Sequence, residues 1–156
     1  MSYVLIVDDD AKVRELMRRF LEPAGYHVVE AETAEDAVRR VRETAPAVAF
    51  CDMHMPGANG LWLTDQIRAI SPATAMVLAT GDSRIAPAET LRPGIVAYLV
   101  KPLNGDRVRA AAAEGVKWSS DARARAGDRR PARRLGSGTA ELVDEERLPA
   151  GQSRCR

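Results

Sequence analysis

Four short stretches of the 156-residue chain carry the side chains best able to do chemistry. Asp8, Asp9 and Asp10 follow directly on the apolar run Tyr3–Val7, and Asp52 follows Val48–Cys51. Thr80 closes Ala75–Ala79, and Lys101, followed by Pro102, closes Ile95–Val100. Carboxylates gathered in one place repel one another unless a cation offsets their charge. Mg2+ suits such a place, because it takes one or two carboxylates in an oxygen shell and keeps positions for water and phosphate oxygens. Thr80 would add a hydroxyl donor and Lys101 a compact positive charge. Together these groups would stabilise a phosphoryl group moving onto a carboxylate, a reaction made mostly of positioning and charge neutralisation. A carboxylate acting as the nucleophile leaves an aspartyl phosphate.

These residues work together only if the chain gathers them, and the pattern between them says how. The apolar runs Tyr3–Val7, Tyr26–Val29, Val48–Cys51, Ala75–Ala79 and Ile95–Val100 are nearly continuous, as expected of parallel strands buried on both faces. Helical spacing fills the intervals. Val13, Leu16, Met17 and Phe20 form one apolar stripe, with Asp10 as a plausible N-cap and Pro23–Ala24–Gly25 as the stop. Thr33 with Asp36 resembles a capping box ahead of Ala37, Val38 and Val41, and Leu61, Leu63, Ile67 and Ile70 supply a third stripe after Gly60. A short fourth helix is expected near Ala88–Arg92, between Pro87 and Pro93, and an Ala-rich fifth from about Asp106 to Trp118. Five strands alternating with five helices mean βαβ units: an α/β fold with a doubly wound parallel sheet. Ligands of such sheets lie at the carboxyl ends of the strands, where strand order reverses. The residues singled out above stand at those ends.

Hydrophobic residues make up 46% of the chain and aromatics only 4%, so the core is expected to be aliphatic. The net charge of +1 gives no global attraction to nucleic acid or membrane, but residues 1–118 carry −2 and residues 119–156 carry +3. Two parts are therefore expected, a domain over 1–118 and a mostly disordered, Arg/Ala/Gly-rich tail over 119–156, with a short helix near Glu141–Leu148. No apolar run reaches the ~20 residues of a membrane span, and the amino terminus lacks the pattern of a signal peptide. The two cysteines, Cys51 and Cys155, do not suggest a disulfide framework, so a cytoplasmic protein is expected.

VDDD after the first run, D-M-H-M-P-G-A-N-G around Asp52, A-T-G around Thr80 and Y-L-V-K-P around Lys101 together resemble the receiver domain of two-component response regulators. The likeness covers about residues 1–118. It implies a flavodoxin-like (βα)5 fold of strand order 2-1-3-4-5, as in the chemotaxis regulator. Asp52 would be the phosphoacceptor, Asp9 a direct Mg2+ ligand, Asp8 its acidic neighbour acting mainly through water, and His54 the donor of a backbone carbonyl to the metal. Thr80 and Lys101 would bind phosphoryl oxygens, and Tyr98 would occupy the aromatic switch position. The implied partners are a sensor histidine kinase or histidine phosphotransfer protein and a downstream protein target. The implied assembly is a monomer or a weak, phosphorylation-dependent homodimer. No catalysis beyond the domain's own phosphoryl transfer and dephosphorylation is expected, and no output domain is legible after the domain.

Plainer readings stand beside these. Asp10 serves as a helix cap, Tyr98 as a strand-end core aromatic, Cys51 as a small buried hydrophobe, and the His54 side chain faces solvent. Two other functions compete. Arg123, Arg125, Arg129, Arg130, Arg133 and Arg134 in the tail would suit a DNA- or RNA-associated transcriptional regulator, although Asp121 and Asp128 interrupt the run and no recognition fold is evident. A phosphatase of the haloacid dehalogenase type also uses an aspartate nucleophile and Mg2+, but its D-x-D-x-T/V pattern is not that of Asp8–Asp9–Asp10–Ala11–Lys12.

Overall fold

The computed structural model describes residues 2–81 and 92–128. Each apolar run forms a strand, with β1 at Tyr3–Val7, β2 at His27–Ala31, β3 at Val48–Asp52, β6 at Ala75–Thr80 and β7 at Ile95–Val100. All pair in parallel, in the order β2-β1-β3-β6-β7. Counted along the chain, that is the expected 2-1-3-4-5.

The near-continuous hydrophobicity of the strands follows from cores on both faces. Val4, Ile6, Val48, Phe50 and Val77 face one core, together with Met17 and Leu21 of α1 (Ala11–Leu21) and Val108 and Ala112 of α4 (Gly105–Asp128). Leu5, Val7, Ala49, Cys51, Met76 and Leu78 face the other, with Ala37 and Val41 of α2 (Ala34–Glu43) and Leu63 and Ile67 of α3 (Gly60–Ile70). Successive strand residues point to opposite faces, so each strand supplies both cores.

The helix starts follow their capping residues. Asp10 accepts from the Lys12 amide at 2.9 Å, Thr33 from the Asp36 amide at 3.0 Å, and Asn59 from the Trp62 amide at 2.8 Å. The apolar stripes are close to those expected, with two differences. In α1 the buried line runs through Met17 and Leu21, flanked by Val13 and Phe20, and leaves Leu16 exposed. In α3 the last residue, Ile70, is exposed.

Two features depart from the sequence reading. A two-residue strand β4 (His54–Met55) pairs antiparallel with β5 (Ala58–Asn59) directly after β3. Pro56 and Gly57 connect them, with Gly57 at φ +82°, a conformation that a glycine adopts without steric cost. The last helix, expected to end near Trp118, continues to Asp128, so residues 119–128 of the segment read as tail are helical. Ala and Arg are strong helix formers, and Lys117 pairs with Asp121 at 3.7 Å one turn on. Its segment from Gly105 is anchored on the core through Val108, Ala111, Ala112, Val116 and Trp118. The fourth helix expected near Ala88–Arg92 falls on residues 82–91, and the helix near Glu141–Leu148 on residues 129–156. Both lie outside the described residues, Arg92 excepted. Among the described residues no helix is long and apolar enough to cross a membrane.

Candidate functional site

β1 and β3 lie side by side, and the chain leaves β1 toward β2 on one side and enters β3 on the other. The reversal opens a crevice at their carboxyl ends. Asp8 follows β1 and is only 3% exposed, while Asp52 closes β3 at 8%. Thr80, the last residue of β6, is buried, and Lys101 follows β7 directly. The Lys101 amide donates to the Thr80 carbonyl at 2.7 Å, tying these two strand ends together.

The side chains converge. Carboxylate oxygens of Asp8, Asp9 and Asp52 all lie within 4.8 Å of one another. Lys101 Nζ donates to Asp8 Oδ2 at 3.0 Å and stands 3.5 Å from Asp52 Oδ1. The Asp10 amide donates to Asp8 Oδ1 at 2.9 Å, and the His54 amide reaches Asp52 Oδ1 at 3.3 Å. Asp9 is exposed, at the mouth of the crevice. Three carboxylates and one ammonium leave two negative charges in excess, with two of the carboxylates buried.

The electrostatics follow from that excess. Burial pushes the Asp52 carboxyl above its ordinary range, and the negative charge of Asp8 pushes it further; Lys101 and the His54 amide offset part of this. For Lys101 burial is the largest influence and favours the neutral amine, yet the hydrogen bond and charge of Asp8, with Asp52, outweigh it and hold the ammonium above its usual range. Burial, then the charge of Asp52, raises the Cys51 thiol, so Cys51 stays a neutral core group.

Backbone geometry sets the position of Asp52. The Met53 amide donates to Ala79 O at 2.7 Å, and the Gly60 amide to Met53 O at 3.0 Å, which folds the β4–β5 hairpin against the end of β3. A Cβ on Gly60 would lie 2.9 Å from the Asp52 carbonyl oxygen, closer than such contacts allow. Glycine at this position therefore permits the approach of α3 to the residue that carries the central carboxylate.

The remaining expected residues are placed less centrally. The His54 side chain is exposed. Tyr98, on β7 opposite Leu78, is half-buried against the α2–α3 core, and its hydroxyl has no hydrogen-bond partner among the described residues. Asp10 turns away to cap α1.

One part of the site was not legible in the sequence. Arg14 of α1 donates from Nη1 to the Asp8 carbonyl oxygen at 2.7 Å and from Nε to Glu30 Oε1 at 2.8 Å. Arg18 holds the other Glu30 oxygen, Oε2, also at 2.8 Å. The signal that could have pointed here is Glu30 itself, a carboxylate inside the otherwise apolar end of β2.

Such a sheet, with its acidic crevice at the carboxyl ends of the strands, places the protein in the class of doubly wound α/β domains. Within that class the chain belongs to the response regulator receiver domain family, whose model matches residues 4–113. It is similar to the transcriptional regulatory protein ZraR of Salmonella typhimurium, with 34% identity over 107 residues, 68% of this chain and 24% of the relative. It is also similar to the alginate biosynthesis transcriptional regulatory protein AlgB of Pseudomonas aeruginosa, with 33% identity over 73% of this chain and 26% of the relative. The chain thus spans about a quarter of the length of these curated relatives. Among solved structures, the receiver domain of NtrX from Brucella abortus is 27% identical, with a TM-score of 0.68, covering 73% of this chain and 98% of that one. A CheY-like receiver domain protein from Methanospirillum hungatei shares the fold at a TM-score of 0.72 and 24% identity, over 78% of this chain and 98% of its own.

Proposed function

We propose that this receiver domain is a phosphorylation switch in which Asp52 accepts a phosphoryl group from a histidine kinase or histidine phosphotransfer protein. The observation that carries this reading is the position of Lys101 between the buried carboxylates of Asp8 and Asp52, with Asp9 completing an oxygen-rich mouth. A carboxylate oxygen of Asp52 forms the new P–O bond as the bond from phosphorus to the donor breaks, and the donor leaves with the electron pair. Burial and the neighbouring Asp8 make this carboxylate more basic than an exposed one, which favours it as a nucleophile. Thr80 and Lys101 stand at adjacent strand ends, and in this reading the Thr80 hydroxyl and the Lys101 ammonium take the phosphoryl oxygens.

The donor set fits a hard divalent cation. It is all oxygen, carries excess negative charge and is open at Asp9. We assign Mg2+ to Asp8, Asp9, Asp52 and the backbone carbonyl of His54, with Asp8 acting mainly through water. When bound, the ion would neutralise charge on the transferring group.

The signal leaves the crevice as a protein–protein contact. Phosphorylation adds negative charge and strong acceptors, which biases two conformations through Thr80 and Tyr98. The Tyr98 hydroxyl, buried and without a hydrogen-bond partner among the described residues, supports this, because a second position with a partner would stabilise it. Catalysis of anything beyond the domain's own phosphoryl transfer and dephosphorylation is not part of this reading. All the residues named lie between 8 and 101, so residues 129–156 should be dispensable for phosphoryl acceptance.

A second reading is favoured by the printed names of the relatives, which are transcriptional regulatory proteins. In that reading the domain serves a nucleic-acid-bound regulator, with the arginines of residues 119–156 touching phosphates. A gel shift at several salt concentrations, with and without residues 129–156, separates it from the first.

The test of the main reading is labelling with radioactive acetyl phosphate. Label is expected with Mg2+, and none with a chelator or in Asp52→Asn. Equal, Mg2+-independent labelling of Asp52→Asn would overturn it.

A further inference from the structure

We infer that Arg14, anchored on Glu30, is a positioning residue that orients the Asp8–Asp9 peptide and so presents Asp9 to the divalent cation. The inference rests on the metal assignment above and deepens it.

Arg14 lies in the first turns of α1 with a side chain only 14% exposed. Its guanidinium spans two acceptors that belong to different elements. One is Glu30 on β2, and the other is the Asp8 carbonyl just beyond β1. Glu30 is a firm anchor because Arg18 occupies its second oxygen, so both oxygens are held from α1. The planar fork of an arginine can serve two such acceptors at fixed angles, and a lysine ammonium on a flexible stem cannot hold the same pair in register.

What this fork fixes is the direction of one carbonyl. The peptide unit is planar, so the Asp8 carbonyl, the Asp9 nitrogen and the Asp9 Cα move as one body. The rest of Asp8 is tied down separately. Its amide donates to Ala31 O at 3.2 Å, and its two carboxylate oxygens accept from the Asp10 amide and Lys101. The Asp9 side chain has no such ties. Its carboxylate is exposed, and no hydrogen bond or ion pair to another described residue holds it. The Asp10 amide holds the peptide that follows Asp9 and Arg14 the one that precedes it, so Arg14 shares in setting where the Asp9 side chain starts. Outer-shell groups of this kind act on metal affinity through the ligand they orient.

The sign of the effect distinguishes this role from the alternatives. Removing a positive charge near three carboxylates would, by electrostatics alone, tighten binding of a dication. A purely structural role would lower stability and leave affinity unchanged. A positioning role weakens binding.

The experiment is calorimetric titration of the full chain with MgCl2, in wild type, Arg14→Gln, Arg14→Lys and Arg18→Gln. Arg14→Lys keeps the charge and guards against a folding failure of Arg14→Gln. Backbone amide exchange at Asp9 and Asp10 in chelator gives a readout without metal. The expected result is a dissociation constant raised about 10-fold in both Arg14 variants, at the lower end of outer-shell effects. Faster exchange at Asp9 and Asp10 should accompany it, with Arg18→Gln, which loosens Glu30 but leaves Arg14 on the Asp8 carbonyl, shifted in the same direction and less. Unchanged or tighter Mg2+ binding in the Arg14 variants, beside a wild type that binds, would overturn the positioning role and leave the metal assignment standing. A wild type that binds no Mg2+ would overturn both.

Discussion

Replacing Lys101 by methionine is the perturbation whose consequence the crevice determines most sharply. Methionine keeps much of the stem and removes the charge. In the native domain Nζ lies 3.0 Å from an Asp8 oxygen and 3.5 Å from an Asp52 oxygen. At an effective dielectric constant of about 20, each contact represents about 5 kcal/mol of gross attraction. Desolvation of the ammonium, whose side chain is 23% exposed, returns several kcal/mol of this. What remains after substitution is a pair of buried carboxylates with no cation, and breaking a buried pair from one side costs about 3–5 kcal/mol. Partial exposure of Lys101 places the expected loss near the lower end, about 2–4 kcal/mol in chelator. Urea unfolding followed by tryptophan fluorescence measures it. In an Asp8→Asn background the same substitution should cost at least about 1 kcal/mol less, because residues in direct contact couple. A loss below about 1 kcal/mol, or an equal loss in both backgrounds, would refute the claim that Lys101 neutralises Asp8.

Other outcomes follow from the same geometry. Asp9→Ala should weaken Mg2+ binding far more than Asp10→Ala, which should instead cost about 1 kcal/mol of stability as a lost N-cap, both read by titration and urea unfolding. Asp52→Asn should stabilise the metal-free domain at neutral pH. Because the native Asp52 carboxyl is held above its unfolded value, its ionisation costs stability, and that cost disappears as pH falls through the raised native value toward the ordinary carboxylate range. Urea midpoints of the two proteins should therefore converge on acidification, and divergence would reverse the sign. Gly60→Ala should cost about 1–3 kcal/mol and slow phosphoryl acceptance, since its Cβ meets the Asp52 carbonyl oxygen; wild-type stability and labelling rate would contradict this.

The elements that could be read from the sequence are those whose signal is local. Runs such as Val48–Cys51, apolar at every position, announce a strand buried on both faces, and β3 is buried throughout. Asp10 and Thr33 stand directly before apolar helical spacing, and each caps its helix. Placing chemically able residues at strand ends was sufficient to gather Asp8, Asp9, Asp52 and Lys101, because parallel order brings those ends to one edge.

What could not be read depends on register between distant segments. The Arg14–Glu30 contact joins residues 16 apart, and it exists because α1 packs across β2. Arginines at 14, 18 and 19 look alike in the sequence, yet Arg19 only pairs with Glu15 on the helix surface. The β4–β5 hairpin has two residues per strand, too few for any periodicity to register. The extension of α4 past Trp118 was hidden for a different reason. The composition of residues 119–156 as a whole suggests disorder, whereas the Ala- and Arg-rich stretch next to the helix has the propensity to continue it.

One carboxylate, that of Asp52, should take the phosphoryl group. Reduction with borohydride after exposure to acetyl phosphate and Mg2+ tests this most directly, because an acyl phosphate is reduced to an alcohol and an ordinary carboxylate is not. Peptide mapping should find homoserine at position 52 alone, and only when Mg2+ was present. Homoserine at position 8 or 9, with Asp52 recovered unmodified, would rule out Asp52 as the phosphoacceptor.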